Sequence, residues 1–229
     1  MAMPSYRIQY SKKGPARYVA HLDLMRVFER AARRAGLPLA FTSGFNPHPK
    51  FSFAAPLAVG VDSEAEYVDL ELSDVLLPSE VAKRLSASLP AGIAIGEVHV
   101  VPENRPALMT MVDRAAYRVE GRLSGTLTDA ELESAIGDFL AQPEVFVERK
   151  TKSGQQKRYD IRPGIFAMSG TVKGDIIFLE MELKSGSSGN IRVDEVLSAL
   201  QEKLPLLLKA GGFAVSRTGL KFIPRESVD

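Results

Sequence analysis

The order in which strand-like and helix-like segments follow one another constrains the fold of this chain most strongly. In the first half, period-two segments and segments of helical spacing alternate, with strands at 6-10, 37-42, 66-72 and 92-101 and helices at about 20-35 and 78-89. The second half repeats this order, with strands at 115-123, 144-149, 176-183 and 213-222 and helices at 128-140 and 193-204. Two successive βαββαβ patterns predict an α+β protein made of two tandem ferredoxin-like domains.

The segment 102-112 separates the two patterns. It contains two prolines and has no clear period, which is typical of a connection between domains. We therefore predict an N-terminal domain over 1-102 and a C-terminal domain over 113-229. A length of 229 residues is sufficient for two small domains of this size.

The composition excludes several classes of function. The chain has no cysteine, so disulfides, thiolate catalysis and cysteine-held iron–sulfur clusters are excluded, and we expect no cofactor in this chain. A formal net charge of +1 means that any attraction to an anionic partner must come from local clusters of charge. The N-terminus lacks an apolar signal core and no apolar run is long enough for a membrane span, so a cytoplasmic protein without a membrane partner is expected.

The first predicted helix carries an unusual number of arginines. Arg26, Arg30, Arg33 and Arg34 lie at spacings that put most of them on one flank of the helix, and Arg17 precedes it. Glu29 and Asp23 are the acids of this helix, whereas a solvated helix face usually alternates in sign. The pattern favours an anion-binding stripe over a plain solvated face.

A shaped loop follows this helix over 43-53. Asn46-Pro47 and Pro49 fix the backbone and disfavour helix, so that His48 and Lys50 are presented on a stiff platform. Asn46 is included among the candidate anion-binding residues. The alternative is a proline-rich turn that serves only to connect two elements.

A second cluster of basic residues lies in the C-terminal half, over 148-162. The Ser153-Gly154 centre predicts an extended hairpin, and phosphates are the commonest partners of such a ribbon, with Tyr159 available to stack on a base. A solvated, flexible hairpin is the alternative. The basic residues of the ribbon are Arg149, Lys150, Lys152, Lys157, Arg158 and Arg162.

Three segments of the first half together resemble the radical-SAM-linked protein family, a bacterial domain of unknown function found alone or fused behind a radical SAM enzyme. These are His21-Leu-Asp-Leu-Met-Arg26, Arg30-Ala-Ala-Arg-Arg-Ala-Gly-Leu-Pro38 and Gly44-Phe-Asn-Pro-His-Pro-Lys50, and the residues 148-150 and 160-163 are similar to a second block of that family. The resemblance implies a radical SAM protein as a partner. The order of elements is also similar to that of tandem ferredoxin-like RNA-binding proteins of CRISPR systems, at the level of fold alone.

We interpret the chain as an RNA-binding accessory module that presents a substrate to a radical SAM partner. The first alternative is a metal-independent endoribonuclease, in which His21, His48 and Lys50 supply the base, the acid and the cation. A metal site built from His21, Asp23 and His48 is a weaker candidate. A further alternative is a protein-interaction adaptor that contacts no nucleic acid. Raising the salt concentration would not weaken the binding of such an adaptor to its protein partner.

Overall fold

The structure is a computed structural model that describes residues 3-102, 105-150, 154-202, 204 and 212-223. The chain is an α+β protein that forms two compact units. One contains the residues up to Val112 and the strand residues from Arg217 onward, and the other contains Asp113–Ser216. The predicted C-terminal domain, 113-229, includes the whole last strand, whereas here the strand residues from Arg217 onward group with the first unit. The division into domains 1-102 and 113-229 stays a prediction.

The first unit alternates strands and helices around an antiparallel sheet. Its strands lie in the order β4-β1-β3, β2 pairs with β3, and the last strand of the chain follows β3 in the order. The elements are β1 (Ser5–Lys12), α1 (His21–Arg34), β2 (Phe51–Phe53), β3 (Asp62–Glu71), α2 (Pro78–Ser86), β4 (Ile93–Val101), the one-turn α3 (Leu108–Met111) and the residues of β10 (Ala214–Phe222) from Arg217 onward.

The core of the first unit lies between the sheet and α1. Alternate residues of β1 and β3 face it, which is why the period-two pattern predicted these strands. Apolar residues of α1 at 24, 28, 31 and 32 cover the same face, at the spacing of one side of a helix. Gly36 adopts a φ of +62° after the helix, which allows Leu37 N to donate to Ala32 O. The predicted helix at 20-35 is confirmed.

The second unit contains three neighbouring antiparallel strands of a sheet and a separate two-stranded ribbon. The sheet order is β5-β9-β8, and β6 pairs with β7 alone. The predicted capping box is confirmed, since Thr128 Oγ1 accepts from Glu131 N and Thr128 N donates to Glu131. The elements are β5 (Val112–Arg122), α4 (Asp129–Leu140), β6 (Phe146–Lys150), β7 (Gln156–Asp160), β8 (Ile165–Lys173), β9 (Ile176–Lys184) and α5 (Val193–Gln201).

The structure differs from the predicted order of elements in two respects, and it leaves the predicted tandem repeat unconfirmed. The strand predicted at 37-42 is reduced to isolated bridges, Leu39 with Leu72 and Phe41 with Pro49. The sequence pattern missed β2 and β8; the latter contains Ala167, Ser169 and Gly170, residues with little β-propensity. Because the second unit has more strands than a βαββαβ pattern and a separate ribbon, a tandem ferredoxin-like repeat is not confirmed.

Within the described part of the chain, every helix is too short or too polar to cross a bilayer.

Candidate nucleic-acid interface

The proline-containing loop of the first unit is a closed hairpin, here called the Phe45 hairpin (residues 41-50). Thr42 N donates to His48 O at 2.9 Å, and His48 N donates to Thr42 Oγ1 at 3.0 Å. Lys50 N donates to Ala40 O at 2.9 Å, which joins the base of the hairpin to the chain before it. These bonds, together with the prolines, hold the tip in one shape.

The tip of the Phe45 hairpin exposes an aromatic ring. Phe45 is fully accessible to solvent, and Asn46 and His48 beside it are also exposed. An isolated exposed apolar side chain is common on protein surfaces. A rigid hairpin that holds one clear of the surface, however, offers a flat face on which another ring can stack.

The outer face of α1 carries the predicted arginines. Arg26 pairs with Asp23 at 2.9 Å, but both side chains remain more than half exposed. The guanidinium of Arg33 lies 5.3 Å from the centre of the Phe41 ring, so this arginine contacts the base of the Phe45 hairpin. Arg34 donates to Ser88 O and is exposed. We name the exposed Arg26, Arg30, Arg33 and Arg34 the α1 arginines.

Arg30 lies in the middle of this set. It is exposed, and it makes no hydrogen bond, ion pair or ring contact to any other residue that the structure describes. Its charge is therefore available to a partner. Because exposed pairs such as Arg26 with Asp23 contribute little, a phosphate can replace the carboxylate at small cost.

Other predicted anion-binding residues already have partners within the protein. The guanidinium of Arg17 donates to Tyr18 Oη at 2.9 Å and lies 3.4 Å from Asp62, and the hydrogen bond with Tyr18 is the main cause of its raised pKa. Lys50 Nζ contacts Glu71 at 2.8 Å. These two cations serve the first unit itself, although about a third of each side chain remains exposed.

An open cleft of about 610 Å³ lies beside the Phe45 hairpin and α1. His48 and Lys50 both line it, so the structure brings these two predicted residues to one place. This volume is in the range of small-ligand sites. The lining residues are Met25, Glu29, Thr42, His48, Pro49, Lys50, Phe51, Ser52, Asp69, Glu71 and Arg105.

Two arginines that the sequence analysis did not identify hold a buried carboxylate in this cleft. Asp69 is almost fully buried and accepts from Arg7 Nε at 2.9 Å and from Arg105 Nε at 2.7 Å. Two guanidiniums on one carboxylate leave an excess of one positive charge, which offsets the cost of burying the group. In the sequence, Asp69 is one of several acids in an alternating strand, and its partners are far away along the chain.

His21 lines a different cavity from His48. That cavity, between α1, β1 and β3, has a volume of only about 10 Å³, which is room for one water molecule. Burial lowers the pKa of His21, and the charge of Glu66 opposes this effect. In this position His21 packs edge-on against Phe53, with ring centres 5.7 Å apart, as a core side chain does.

The wall of the His21 cavity belongs to a buried charge cluster. Glu66 accepts from Arg217 Nε at 2.7 Å, and Arg217 also donates to Ala55 O at 2.9 Å. Lys12, whose pKa is lowered by burial, donates to Arg17 O at 3.2 Å. All three ionic side chains, Lys12, Glu66 and Arg217, are less than 4% exposed. This cluster joins the last strand to the sheet and to the chain after β2.

These positions bear on the catalytic and metal hypotheses. His21 and His48 line different cavities, so the geometry does not place them on one scissile phosphate. Among the described residues, no three histidine, aspartate or glutamate side chains lie close enough together to hold a metal ion. Asp23, the third metal candidate, is paired with Arg26. The catalytic roles of His21, His48 and Lys50 stay predictions.

The basic ribbon of the second unit is a hairpin, as predicted, with Arg149 opposite Lys157 and Glu148 opposite Arg158. Lys150, Lys157 and Arg158 are exposed, and Arg158 stacks on Phe146 at 3.7 Å. Lys152 lies outside the described residues.

Two of the ribbon arginines are structural. Arg149 forms two 2.7 Å bonds to Glu195 on α5, and these bonds raise its pKa. Arg162 donates to Leu140 O and Ile165 O, both at 2.9 Å, and so caps the last carbonyl of α4. Among the described residues of the ribbon, Lys150, Lys157 and Arg158 therefore carry the exposed positive charge.

Comparison with solved structures shows the fold of the chain. A chain of the Cbf5–Nop10–Gar1 complex is similar with a TM-score of 0.52 and 12% sequence identity, over 94% of this chain and 48% of that chain. A chain of the archaeal box H/ACA sRNP Nop10–Cbf5 complex is similar with a TM-score of 0.50 and 11% identity, over 94% and 47%. This chain thus spans about half the length of the proteins it matches. At this identity the likeness concerns the fold alone.

A search of curated proteins found no match. A family model described as an uncharacterized protein conserved in bacteria, DUF2344, matches residues 5–193. Since this match covers well over half of the chain, the chain belongs to the DUF2344 family of bacterial proteins.

Proposed function

We propose that this protein is an RNA-binding accessory module whose first unit holds single-stranded RNA on the α1 arginines and the Phe45 hairpin. Two neighbouring arginines of α1 carry the proposal. Arg30 has no partner among the residues that the structure describes, and Arg33 contacts the base of a rigid hairpin that exposes Phe45. Arginines along a helix neutralise phosphates, and an exposed ring stacks on a base whatever its identity.

The energetics favour single strands over duplexes. Stacking of one base on an aromatic side chain contributes about 1–3 kcal/mol, and it requires an unstacked base. Phosphate contacts add an electrostatic contribution that weakens as salt is raised. With a formal net charge of +1, the protein has no global attraction for RNA, so the local cluster must supply this contribution.

Two further observations support the same proposal. The ribbon of the second unit exposes Lys150, Lys157 and Arg158, together with the ring of Phe146 under Arg158, which is again a cation and aromatic combination. One protein of similar fold is a chain of the archaeal box H/ACA sRNP Nop10–Cbf5 complex, an RNA–protein particle. In the first unit, the strand order β4-β1-β3 with β2 on β3 supports the ferredoxin-like part of the fold proposal.

The proposal includes a partner enzyme because the motifs of this chain resemble those of the radical-SAM-linked protein family. In this account the protein acts in the cytoplasm and presents RNA to a radical SAM protein, which supplies the iron–sulfur cluster. A division of labour is consistent with the chain itself, because it has no cysteine with which to hold such a cluster.

The experiment compares two charge-matched double variants for binding to a labelled single-stranded RNA. Arg30→Ala/Arg33→Ala removes two α1 arginines, and the control Arg118→Ala/Arg122→Ala removes two exposed arginines of β5. Loss of two charged contacts should weaken binding about tenfold to a hundredfold in the first variant, with the RNA left uncleaved. Equal affinities of both variants, or no binding by the wild type at low salt, would overturn the proposal and favour a protein-interaction adaptor.

A further inference from the structure

We propose that the cleft between α1 and the Phe45 hairpin binds one unstacked guanine base of the RNA. The inference rests on the proposed RNA-binding function and specifies which base the site prefers. It starts from Glu29, which lines the cleft and is half-buried. Among the described residues, Glu29 makes no ion pair or hydrogen bond, whereas Asp69 and Glu71 in the same cleft are both paired with cations. The carboxylate of Glu29 is therefore available to accept hydrogen bonds from a ligand in the cleft.

The cleft has the size and the surfaces that a nucleotide requires. Its volume of about 610 Å³ lies within the 300–1,000 Å³ usual for small-ligand sites. Met25 on α1 and Phe51 on β2 supply apolar lining for the faces of a base. Arg105 and Asp69 are held in their own pair at the wall, so they keep the cleft in shape.

The chemistry of the carboxylate selects the base. An ionised carboxylate only accepts hydrogen bonds, and its two oxygens suit two parallel donors. Guanine presents N1–H and N2–H side by side on its Watson–Crick edge, whereas adenine, uracil and cytosine each present one donor group there. Across the cleft, Thr42 Oγ1 accepts from His48 N, so that its own hydroxyl proton can be donated to a guanine oxygen.

The helix geometry supplies the contact for the phosphate. Met25, Glu29 and Arg33 follow one another at intervals of four residues, so they form one line along α1. Arg33 is thus the next side chain along this line after Glu29, and it lies over Phe41 at the base of the Phe45 hairpin. A base against Glu29 brings its phosphate towards a cation that already belongs to the proposed RNA surface.

The test uses four single-stranded RNA heptamers that differ only in the central base, with uridines on both sides. Wild-type protein should bind the heptamer with a central guanine about tenfold more tightly than the other three, as expected for a bidentate base contact. Glu29→Gln, which keeps the size of the side chain and removes its charge, should abolish this preference and leave binding of the all-uridine heptamer unweakened. The control Glu133→Gln changes an exposed acid of α4 and should keep the preference.

The outcomes separate this inference from the proposed function. If the wild type binds all four heptamers equally, or if Glu29→Gln retains the preference for guanine, the guanine site is refuted and RNA binding by the α1 arginines stands. If the wild type binds none of the heptamers at low salt, the proposed function fails and the guanine site fails with it. Circular dichroism of each variant confirms that loss of preference does not arise from loss of structure.

Discussion

Replacing the buried Arg217 should lower the free energy of unfolding more than replacing a surface arginine does. Arg217 is 1% exposed and bonds to Glu66, which is 3% exposed, and to the carbonyl oxygen of Ala55. In Arg217→Met the methionine fills part of the space, but Glu66 keeps a buried charge without its arginine. Removal of one partner of a buried pair costs about 3–5 kcal/mol in free energy of unfolding. This is a large part of the 5–15 kcal/mol typical of a whole domain.

A double-mutant cycle measures the interaction free energy between Arg217 and Glu66. Urea unfolding followed by circular dichroism suits this chain, which has no tryptophan. Arg217→Met/Glu66→Met removes both charges, so it should be more stable than the sum of the single variants predicts, by about 2 kcal/mol. Lys12 and the Ala55 carbonyl remain buried, so we do not expect full recovery. A loss below about 1 kcal/mol in Arg217→Met, similar to Arg118→Met on the surface, would refute the reasoning.

Two further predictions concern the pH dependence of stability and the ribbon. Burial lowers the pKa of His21, so below the unfolded-state pKa of about 6.5 the unfolded chain binds the proton preferentially and stability falls. Between pH 7.5 and 5.5, wild type should lose more unfolding free energy than His21→Gln, by at most about 1.4 kcal/mol per pH unit; equal losses in urea titrations would contradict this. Arg149→Ala should lower stability by about 2 kcal/mol through the lost Glu195 bonds, whereas Lys157→Ala should leave the same titration unchanged.

Sequence patterns predicted those elements that are determined by residues close together in the chain. The helical spacing of apolar residues at 22, 25, 28, 32 and 35 predicted α1, although Leu22 is exposed and Leu24 lies in the core instead. Thr128 with Glu131 identified the start of α4. The exposure of the α1 arginines follows from the same helical period, because the residues opposite a buried stripe face solvent.

The roles of individual charges depend on contacts that the sequence does not show. Arg149 and Lys150 are neighbours in one basic run, yet one is fixed by Glu195 on α5 and the other is exposed. Glu66 lies on the core face of β3, where period two predicts an apolar residue, and it is tolerated because Arg217, 151 positions away, pairs with it. Such pairs depend on the tertiary structure, so a basic cluster alone cannot separate binding residues from structural ones.

The salt dependence of RNA binding tests the central claim most directly. For single strands, the slope of log K against log salt is about −0.7 for each phosphate that the protein neutralises. If Arg30 and Arg33 bind phosphates, Arg30→Ala/Arg33→Ala should reduce the magnitude of the slope by about 1.4, and Arg118→Ala/Arg122→Ala should leave it unchanged. A slope for Arg30→Ala/Arg33→Ala equal to that of the wild type would show that α1 does not contact the RNA backbone, and would contradict the account.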